Sequence, residues 1–378
     1  MALAIIIVNY KSTGLVLDCL EHLYRDPIAS TFDVFIVDNA SGDDGREVIT
    51  SAFPRVNWIA MTYNAGFARA NNEGIRRSAG GEGPASSDQP GRSSSGDVHS
   101  SSGSSGDAVL LLNGDTLPDA GAIATCYQRL MNSGYIAAGV QLLNSDGSPQ
   151  ISGMYVMKGG LNYLLPLPFI GAVIKWFGEM AGVKKPHVEG VDATIVHAAT
   201  NAANATAAPV EAVAHANAPI GVDWINGAFL MVKRSAIDQA GLLDEDFFLY
   251  AEEAEWCGRL KKTGPLCIYG DLTVIHLQGE TANKEFGSGG KGYYNFYDRK
   301  GLQIMLSNFV RIRKQFGIGW FLVQLFFYLA DIPVFFIGLA FSKRYSFAQF
   351  RQYCKNIEVI LRLSPTIIGN KPYFYKVL

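Results

Sequence analysis

Short apolar runs, each closed by a polar cluster, recur through the first part of the chain, with helical spacing between them. Ala4 to Val8 is apolar and β-branched and ends in Asn9-Tyr10; Leu15, Val16, Cys19, Leu20 and Leu23 then recur on one helix face. Phe32 to Val37 forms a second run, closed by the turn-forming stretch Asp38 to Asp44. Val56 to Met61 forms a third, followed by a helix that carries Phe67, Ala70 and Ile75 inward. Ala108 to Leu112 is uninterrupted, as in a central parallel strand covered on both faces. This alternation predicts an α/β fold whose mostly parallel sheet is wound with right-handed crossovers. The polar clusters then fall at the strands' carboxyl ends, where such sheets bind ligands.

Beyond the central strand, Ile136 to Leu143, the turn Asn144 to Gly147, and Gln150 to Met157 read as a hairpin. Leu161 to Phe177 is apolar but broken by Pro166 and Pro168, which predicts a covering flap and not a spanning helix. Val222 to Val232 reads as one strand, Leu242 to Gly264 as an acidic loop opening a helix, and Leu272 to His276 as a last short strand. Two stretches, about 78–107 and 188–219, lack the apolar content of a core and are expected to be flexible insertions. His187, His197 and His215 in or beside the second have no regular metal-ligand spacing.

Near the carboxyl end, Phe316 to Phe341 is mostly apolar and longer than the roughly 20 residues that cross a bilayer. Asp331 and Pro333 sit near its middle, and both flanks are basic. A helix-break-helix lying in, or re-entering, the membrane interface accommodates all three features.

Composition adds an asymmetry. The chain of 378 residues carries a net charge of only −2. From Arg299 onward, however, twelve Lys or Arg stand against Asp331 and Glu358 alone. With an apolar run in the same region, an anionic membrane surface is the expected partner, and nucleic acid is not. Five cysteines without paired spacing argue against a disulfide framework and fit a reducing compartment. The opening stretch reads as a strand and not a signal peptide, so a cytoplasmic location is expected.

Two foci carry chemistry. Asn113 and Asp115 follow the central strand, where a carboxylate can hold a hydrated cation against a phosphate. Glu252, Glu253 and Glu255 open a helix just after Phe247, Phe248 and Tyr250, a partly desolvated setting that suits a general base. His276 lies behind an apolar run that follows this helix.

The ordered set VNYKS, VDNASGD, NAGFARANNEG, LLNGDT, NGAFLMVKR, FFLYAEEAEWCGRLKKTG and VIHLQG resembles the inverting family-two glycosyltransferases of GT-A fold. Within them it looks most like the rhamnosyltransferase branch. The resemblance implies a GT-A domain over residues 1–280 and leaves 281–378 as a helical, basic, membrane-associating region. It places Asn9, Tyr10 and Asp38 at the nucleotide base, and Asn64, Gly66 and Asn71 beside the nucleotide. The family's Asp-x-Asp position falls on Asn113 to Asp115, with Asn in place of the first acid. Mg²⁺ or Mn²⁺ is implied on Asp115 and His276. The implied base is Glu253, with Trp224, Asn226, Gly227 and Glu252 lining the acceptor or donor-sugar pocket.

The implied reaction moves a sugar, L-rhamnose from dTDP-rhamnose first and a UDP-sugar second, to a saccharide acceptor. That acceptor is expected to be lipid-linked, in cell-surface polysaccharide assembly at the inner face of the membrane. Self-association stays open. A non-catalytic nucleotide-sugar-binding or scaffolding module is the alternative; a glycoside hydrolase needs no such sheet.

Overall fold

The computed structural model describes residues 2–80, 106–180, 218–277, 283, 286–288 and 296–377. Most of the two expected insertions, with His187, His197 and His215, lies outside the described residues. The first elements follow the apolar pattern: β1 (Leu3–Asn9), α1 (Thr13–Leu23), β2 (Asp33–Asp38), α2 (Gly45–Ala52), β3 (Asn57–Ala60) and α3 (Gly66–Ser78). Then come β4 (Ala108–Asn113), β5 (Thr116–Leu117), α4 (Ala120–Met131), β6 (Ala137–Leu143), β7 (Gly153–Met154) and α5 (Ile170–Met180). After the second insertion stand β8 (Ile220–Val222), β9 (Trp224–Ile225), β10 (Phe229–Lys233), α6 (Arg234–Ala240), α7 (Glu252–Leu260) and β11 (Leu266–His276). Three helices end the chain, α8 (Arg299–Phe316), α9 (Ile318–Phe341) and α10 (Phe347–Gly369).

The expected α/β class is present: a nine-stranded sheet runs β3-β2-β1-β4-β10-β6-β11-β5, with β8 paired to β11. The first four strands in that order are parallel, with Asn9 level with Asp38 and Val8 with Asn113. β4 is therefore central, but parallel on one side only, because β10 runs against it. Alternation sorts β1 and β4 between two cores. Ile5, Ile7, Leu110 and Leu112 face α1 and α4, while Ile6, Val109 and Leu111 face α3, α6 and α7. Burial of each such side chain stabilises the fold by about 1.5–3 kcal/mol.

Two local expectations are corrected. The return arm after Asn144 to Gly147 meets β6 only at the Leu143–Pro149 bridge; Gly153 and Met154 pair instead with β9. Ser152 explains this, since its Oγ accepts the Leu142 N–H at 2.8 Å and replaces a ladder bond. Nor is Val222 to Val232 one strand. Asp223 and the turn Asn226 to Ala228 divide it, with Asn226 Oδ1 accepting from the Ala228 N–H at 2.9 Å.

A third core joins α8, α9 and α10 to Phe247, Ala251, Leu164 and Leu167, so the C-terminal helices pack directly on the acidic loop. The expected break in the apolar run is absent: α9 is one helix of 24 residues through Pro333. Pro333 lies on the exposed face, and Asp331 is fully buried beside Tyr328 and Tyr353. Helix packing satisfies the geometry that the proline alone would disrupt. Among the described residues, α9 is the one helix long and apolar enough to cross a membrane by length and composition. The expected flap becomes a 3-10 turn, Lys158–Leu164, followed by α5, and Leu164, Leu167, Phe169, Ile170 and Ile174 pack into the third core.

Candidate active site

The carboxyl edge of the sheet collects three groups of polar side chains. At the ends of β1 and β2, Asn9 is fully buried and donates to Asp38 Oδ1 at 3.0 Å, Ser41 Oγ at 3.2 Å and Thr13 Oγ1 at 3.3 Å. Asp38 also accepts from Ser41 Oγ at 2.5 Å and from the Ser41 N–H at 3.3 Å. Tyr10 is half-buried beside this cluster, with the Lys11 ammonium 5.1 Å from its ring centroid.

Asn39 bridges this group to α3. Its Nδ2 donates to Asn64 Oδ1 at 3.1 Å, and its Oδ1 accepts the Ala65 N–H at 2.8 Å. Gly66, which opens α3, has φ of +80°, and a Cβ there would stand 2.3 Å from the Phe248 carbonyl oxygen. Only glycine fits this approach. The adjoining Phe67 N–H donates to the same carbonyl at 2.8 Å, so the helix start is fastened to the acidic loop. Asn71 is buried, but its amide donates within the helix to Phe67 O at 2.9 Å.

The second group lies beyond β4 and β11. Asp115 Oδ1 faces His276 Nε2 at 3.3 Å. On the other side of the ring, Nδ1 is 3.0 Å from Gln150 Oε1. Gln150 Nε2 reaches the acceptors His276 O at 2.6 Å, Asn144 Oδ1 at 2.8 Å and Leu143 O at 3.2 Å, which fixes which end of the amide is oxygen. Oε1 can only accept, so His276 Nδ1 carries a hydrogen and Nε2 is the ring atom turned to Asp115. A proton or a cation can sit between Nε2 and the carboxylate.

Asn113 Oδ1, at the end of β4, is buried with no hydrogen-bond partner in the described structure. Carboxylate, imidazole and amide oxygen together suit Mg²⁺ or Mn²⁺, which take few protein ligands and complete their shell with substrate phosphate and water. Among the described residues no cluster of three or more His, Cys, Asp or Glu occurs, consistent with so sparse a set.

The third group surrounds the start of α7. The Asn113 N–H donates to Ala228 O at 3.1 Å, which ties β4 to the turn carrying Asn226 and Gly227. Asn226 shapes the turn, with its Nδ2 donating to Ile151 O at 2.9 Å and its Oδ1 accepting from the Ala228 N–H at 2.9 Å, which leaves one amide hydrogen for a ligand. A Cβ at Gly227 would stand 3.3 Å from Glu253 Cγ, so this glycine leaves room for the carboxylate. Tyr250 and Ala251 both take left-handed backbone to aim the helix start.

Glu252 is 3% exposed and its Oε2 is buried without a partner among the described residues, whereas Glu253 is half-buried. Burial first, then the charge of Glu253, holds the Glu252 carboxyl well above the usual carboxylate range. Burial also raises Glu253, but helix N–H groups and the Arg311 guanidinium act against that rise. Burial raises both members of the pair, Glu252 the more, so Glu252 favours the neutral acid while the groups around Glu253 favour its carboxylate. Glu255 is engaged elsewhere, with both oxygens on Arg259.

Arg311, Gln150, Asn39 and Ser41 are site residues that pattern reading missed. Arg311 projects from α8, is fully buried, bonds Tyr163 Oη through Nη1 and Gln315 Oε1 through Nε, and leaves Nη2 without a partner. Its signal was faint, one arginine in a basic helix. Asn39 and Ser41 stood in the polar stretch after β2 and were legible as turn formers only.

Residues 4–81 match the model of the family described as Glycosyl transferase family 2. A low-salt glycan biosynthesis hexosyltransferase, Agl10 of Haloferax volcanii, is 25% identical over 265 residues, covering 69% of this chain and 62% of the relative. An N-acetylglucosaminyl-diphospho-decaprenol L-rhamnosyltransferase of Mycobacterium tuberculosis is 35% identical over 68 residues, covering 18% of this chain and 22% of its own length. The chain thus spans less than two thirds of either relative. Among solved structures, a mannosyltransferase of Pyrobaculum calidifontis in complex with GDP-Man and Mn2+ aligns over 97% of this chain and 84% of its own, at TM-score 0.46 and 13% identity.

Proposed function

We propose that this chain, whose residues 4–81 match glycosyl transferase family 2, belongs to that family and catalyses inverting transfer of a sugar from a nucleotide sugar to a saccharide hydroxyl. The observation that carries the reading is the pairing of Asp115 with His276 on the same sheet edge that presents Glu253. One group can hold a diphosphate, and the other can take a proton.

In this reading Asn9 and Asp38 hold the base of the donor, and the start of α3 flanks the nucleotide. Asp115, His276 and the side-chain Oδ1 of Asn113 would hold Mg²⁺ or Mn²⁺, which when bound neutralises charge on the departing diphosphate. Glu253 takes the proton of the acceptor hydroxyl as its oxygen bonds to the anomeric carbon. The bond from that carbon to the diphosphate oxygen breaks, its electron pair leaves with the nucleotide, and configuration inverts in one displacement. Glu252, as a neutral acid, can donate a hydrogen bond to the sugar without repelling Glu253. Trp224 walls the pocket.

The donor sugar is L-rhamnose from dTDP-rhamnose, and the acceptor is lipid-linked. Both follow from the rhamnosyltransferase resemblance and from the lipid-linked acceptor in the name of the mycobacterial relative. Attachment to the cytoplasmic face of a membrane through α9 brings the enzyme to that acceptor. A panel of nucleotide sugars with Mn²⁺, read by thermal shift and then by transfer to a prenyl-diphosphate sugar, tests the reading, since a ligand of the folded state raises its stability. Stabilisation by dTDP-rhamnose and an inverted product linkage are expected. A chain that no nucleotide sugar stabilises would overturn it.

A further inference from the structure

The outer faces of α5 and α9 reverse the usual order of a surface helix. In a water-exposed helix polar residues point outward. Here α9 turns its polar side chains in: Gln324 and Asp331 are fully buried, and Gln324 donates to the carbonyls of Gly159 at 3.2 Å and Gly160 at 2.8 Å. Its outward residues are apolar, with Phe326 65% exposed, Ile337 60% and Phe341 85%. No charged residue other than buried Asp331 occurs in α9. α5 also presents apolar residues outward, with Val173, Trp176 and Phe177 each more than half exposed and the exposed Lys175 among them.

The two faces are joined. Phe169, just before α5, packs its ring 6.2 Å from that of Phe335 and 5.7 Å from that of Tyr345. A Cβ at Gly338 would strike the same Phe169 ring at 2.4 Å, so α5 leaves the body of the protein against the last turns of α9, next to exposed Phe336 and Ile337. Exposed cations edge this region: Lys158 and Lys175 on the α5 side, Lys343, Arg344 and Arg351 after α9. An apolar face of this extent edged by cations matches an anionic bilayer, whose acyl region takes the apolar side chains and whose headgroups meet the basic ones.

We infer that α5 is a second membrane-inserting element, which with α9 forms one lipid-facing surface. The inference rests on the membrane attachment proposed above and adds a second point of contact. Through Gly159 and Gly160 this surface is tied to the segment that leads from β7, the partner of Trp224 in β9. Two inserted helices restrict rotation about the membrane plane, so the acceptor pocket beside Trp224 holds one orientation to the bilayer. A single helix would leave it free to turn.

The full chain is tested with vesicles of equal parts phosphatidylglycerol and phosphatidylcholine, and with phosphatidylcholine alone. Val173→Asp/Trp176→Asp/Phe177→Asp is compared with Phe326→Asp/Ile337→Asp; all five positions are exposed, so folding is retained, as circular dichroism checks. Each variant should lose at least about tenfold in affinity for anionic vesicles. Brominated lipid should quench a part of the tryptophan emission that disappears in Trp176→Phe. If the α9 pair abolishes binding while the α5 triple binds like the parent and Trp176 is not quenched, α5 is not an inserting element, though attachment stands. If the parent itself ignores both vesicles, attachment falls too. A parent dimer that the α5 triple converts to monomer, with vesicle binding unchanged, would assign the face to a second copy and overturn the inference.

Discussion

Gln150 Oε1 lies 3.0 Å from Nδ1 of His276, and this contact decides which ring nitrogen faces Asp115. Gln150→Leu removes the acceptor and frees the ring to protonate Nε2 instead. Mn²⁺ affinity, measured by calorimetry with a nucleoside diphosphate present, should fall roughly 10–100-fold. Gln150→Glu keeps an acceptor and should keep the affinity. Nitrogen chemical shifts of His276 report the tautomer directly, and undiminished Mn²⁺ binding in Gln150→Leu would remove Gln150 from this role.

Glu253→Gln should retain donor binding and lose transfer on the order of a hundredfold or more, because the amide keeps the shape but accepts no proton. Glu252→Gln should turn over close to normally, since a neutral side chain already suits that position. Single-turnover rates separate the two. A dead Glu252→Gln beside an active Glu253→Gln would exchange their roles.

The same pair sets a pH dependence of stability. Unfolded, Glu252 ionises near the ordinary carboxylate value of about 4.3; in the fold, burial and the charge of Glu253 raise it well above that. Between the two values the folded state binds more protons, so stability is full below the unfolded pKa and declines as pH rises through the folded one. Each unit of upward shift costs about 1.4 kcal/mol once both states are ionised. Glu252→Gln escapes this loss. It should melt at a higher temperature than the parent in alkaline buffer and converge with it in acid; a pH-independent difference would contradict the assignment.

Gly66→Ala should destabilise the chain by about 1–3 kcal/mol or more, because the backbone is left-handed and the new Cβ meets Phe248 O. Urea unfolding measures this. Donor affinity should fall with it, as the start of α3 is displaced.

Arg234 fastens both ends of the first insertion. It donates to Ser78 Oγ at 2.8 Å, to Ile75 O at 3.2 Å and, through its backbone N–H, to Asp107 O at 2.9 Å. Replacing residues 82–103 by a short Gly-Ser linker should therefore preserve stability and activity, whereas Arg234→Ala should cost about 1–3 kcal/mol. Loss of activity in a stable shortened chain would show that the insertion takes part in the reaction.

The sheet was legible because β1 and β4 are unbroken apolar runs, and a strand buried on both faces leaves that trace at any distance from its partners. The cluster of acids at a helix start beside aromatic residues was legible, but the choice of Glu253 over Glu252 and Glu255 came from the family resemblance alone. The bond between Gln150 and His276 was not: the partners are far apart in sequence, and Gln150 looked like one arm of a hairpin. That hairpin failed for a related reason, since a side chain, Ser152, satisfied the Leu142 N–H that periodicity assigned to a strand. Pro333 misled in the opposite direction. A proline opposes helix locally, but α9 is held by tertiary contacts at Phe321, Gln324, Tyr328, Asp331 and Phe335.

Tyr375 bridges to Phe247, with its N–H on Asp246 O at 2.9 Å, while Lys314 holds Asp244 and Asp246 from α8. The loop that aims Glu253 is therefore braced by residues synthesised long after it. On the ribosome, a nascent chain can form β1 to β4 and their helices while this loop still lacks its brace. The proposed nucleotide-binding surface precedes the proposed proton-abstracting geometry in time. A chain stalled before Tyr375 emerges would carry the donor half of the site without a settled base, and a bulky group fused near that tyrosine would disturb the reaction before it disturbed the fold.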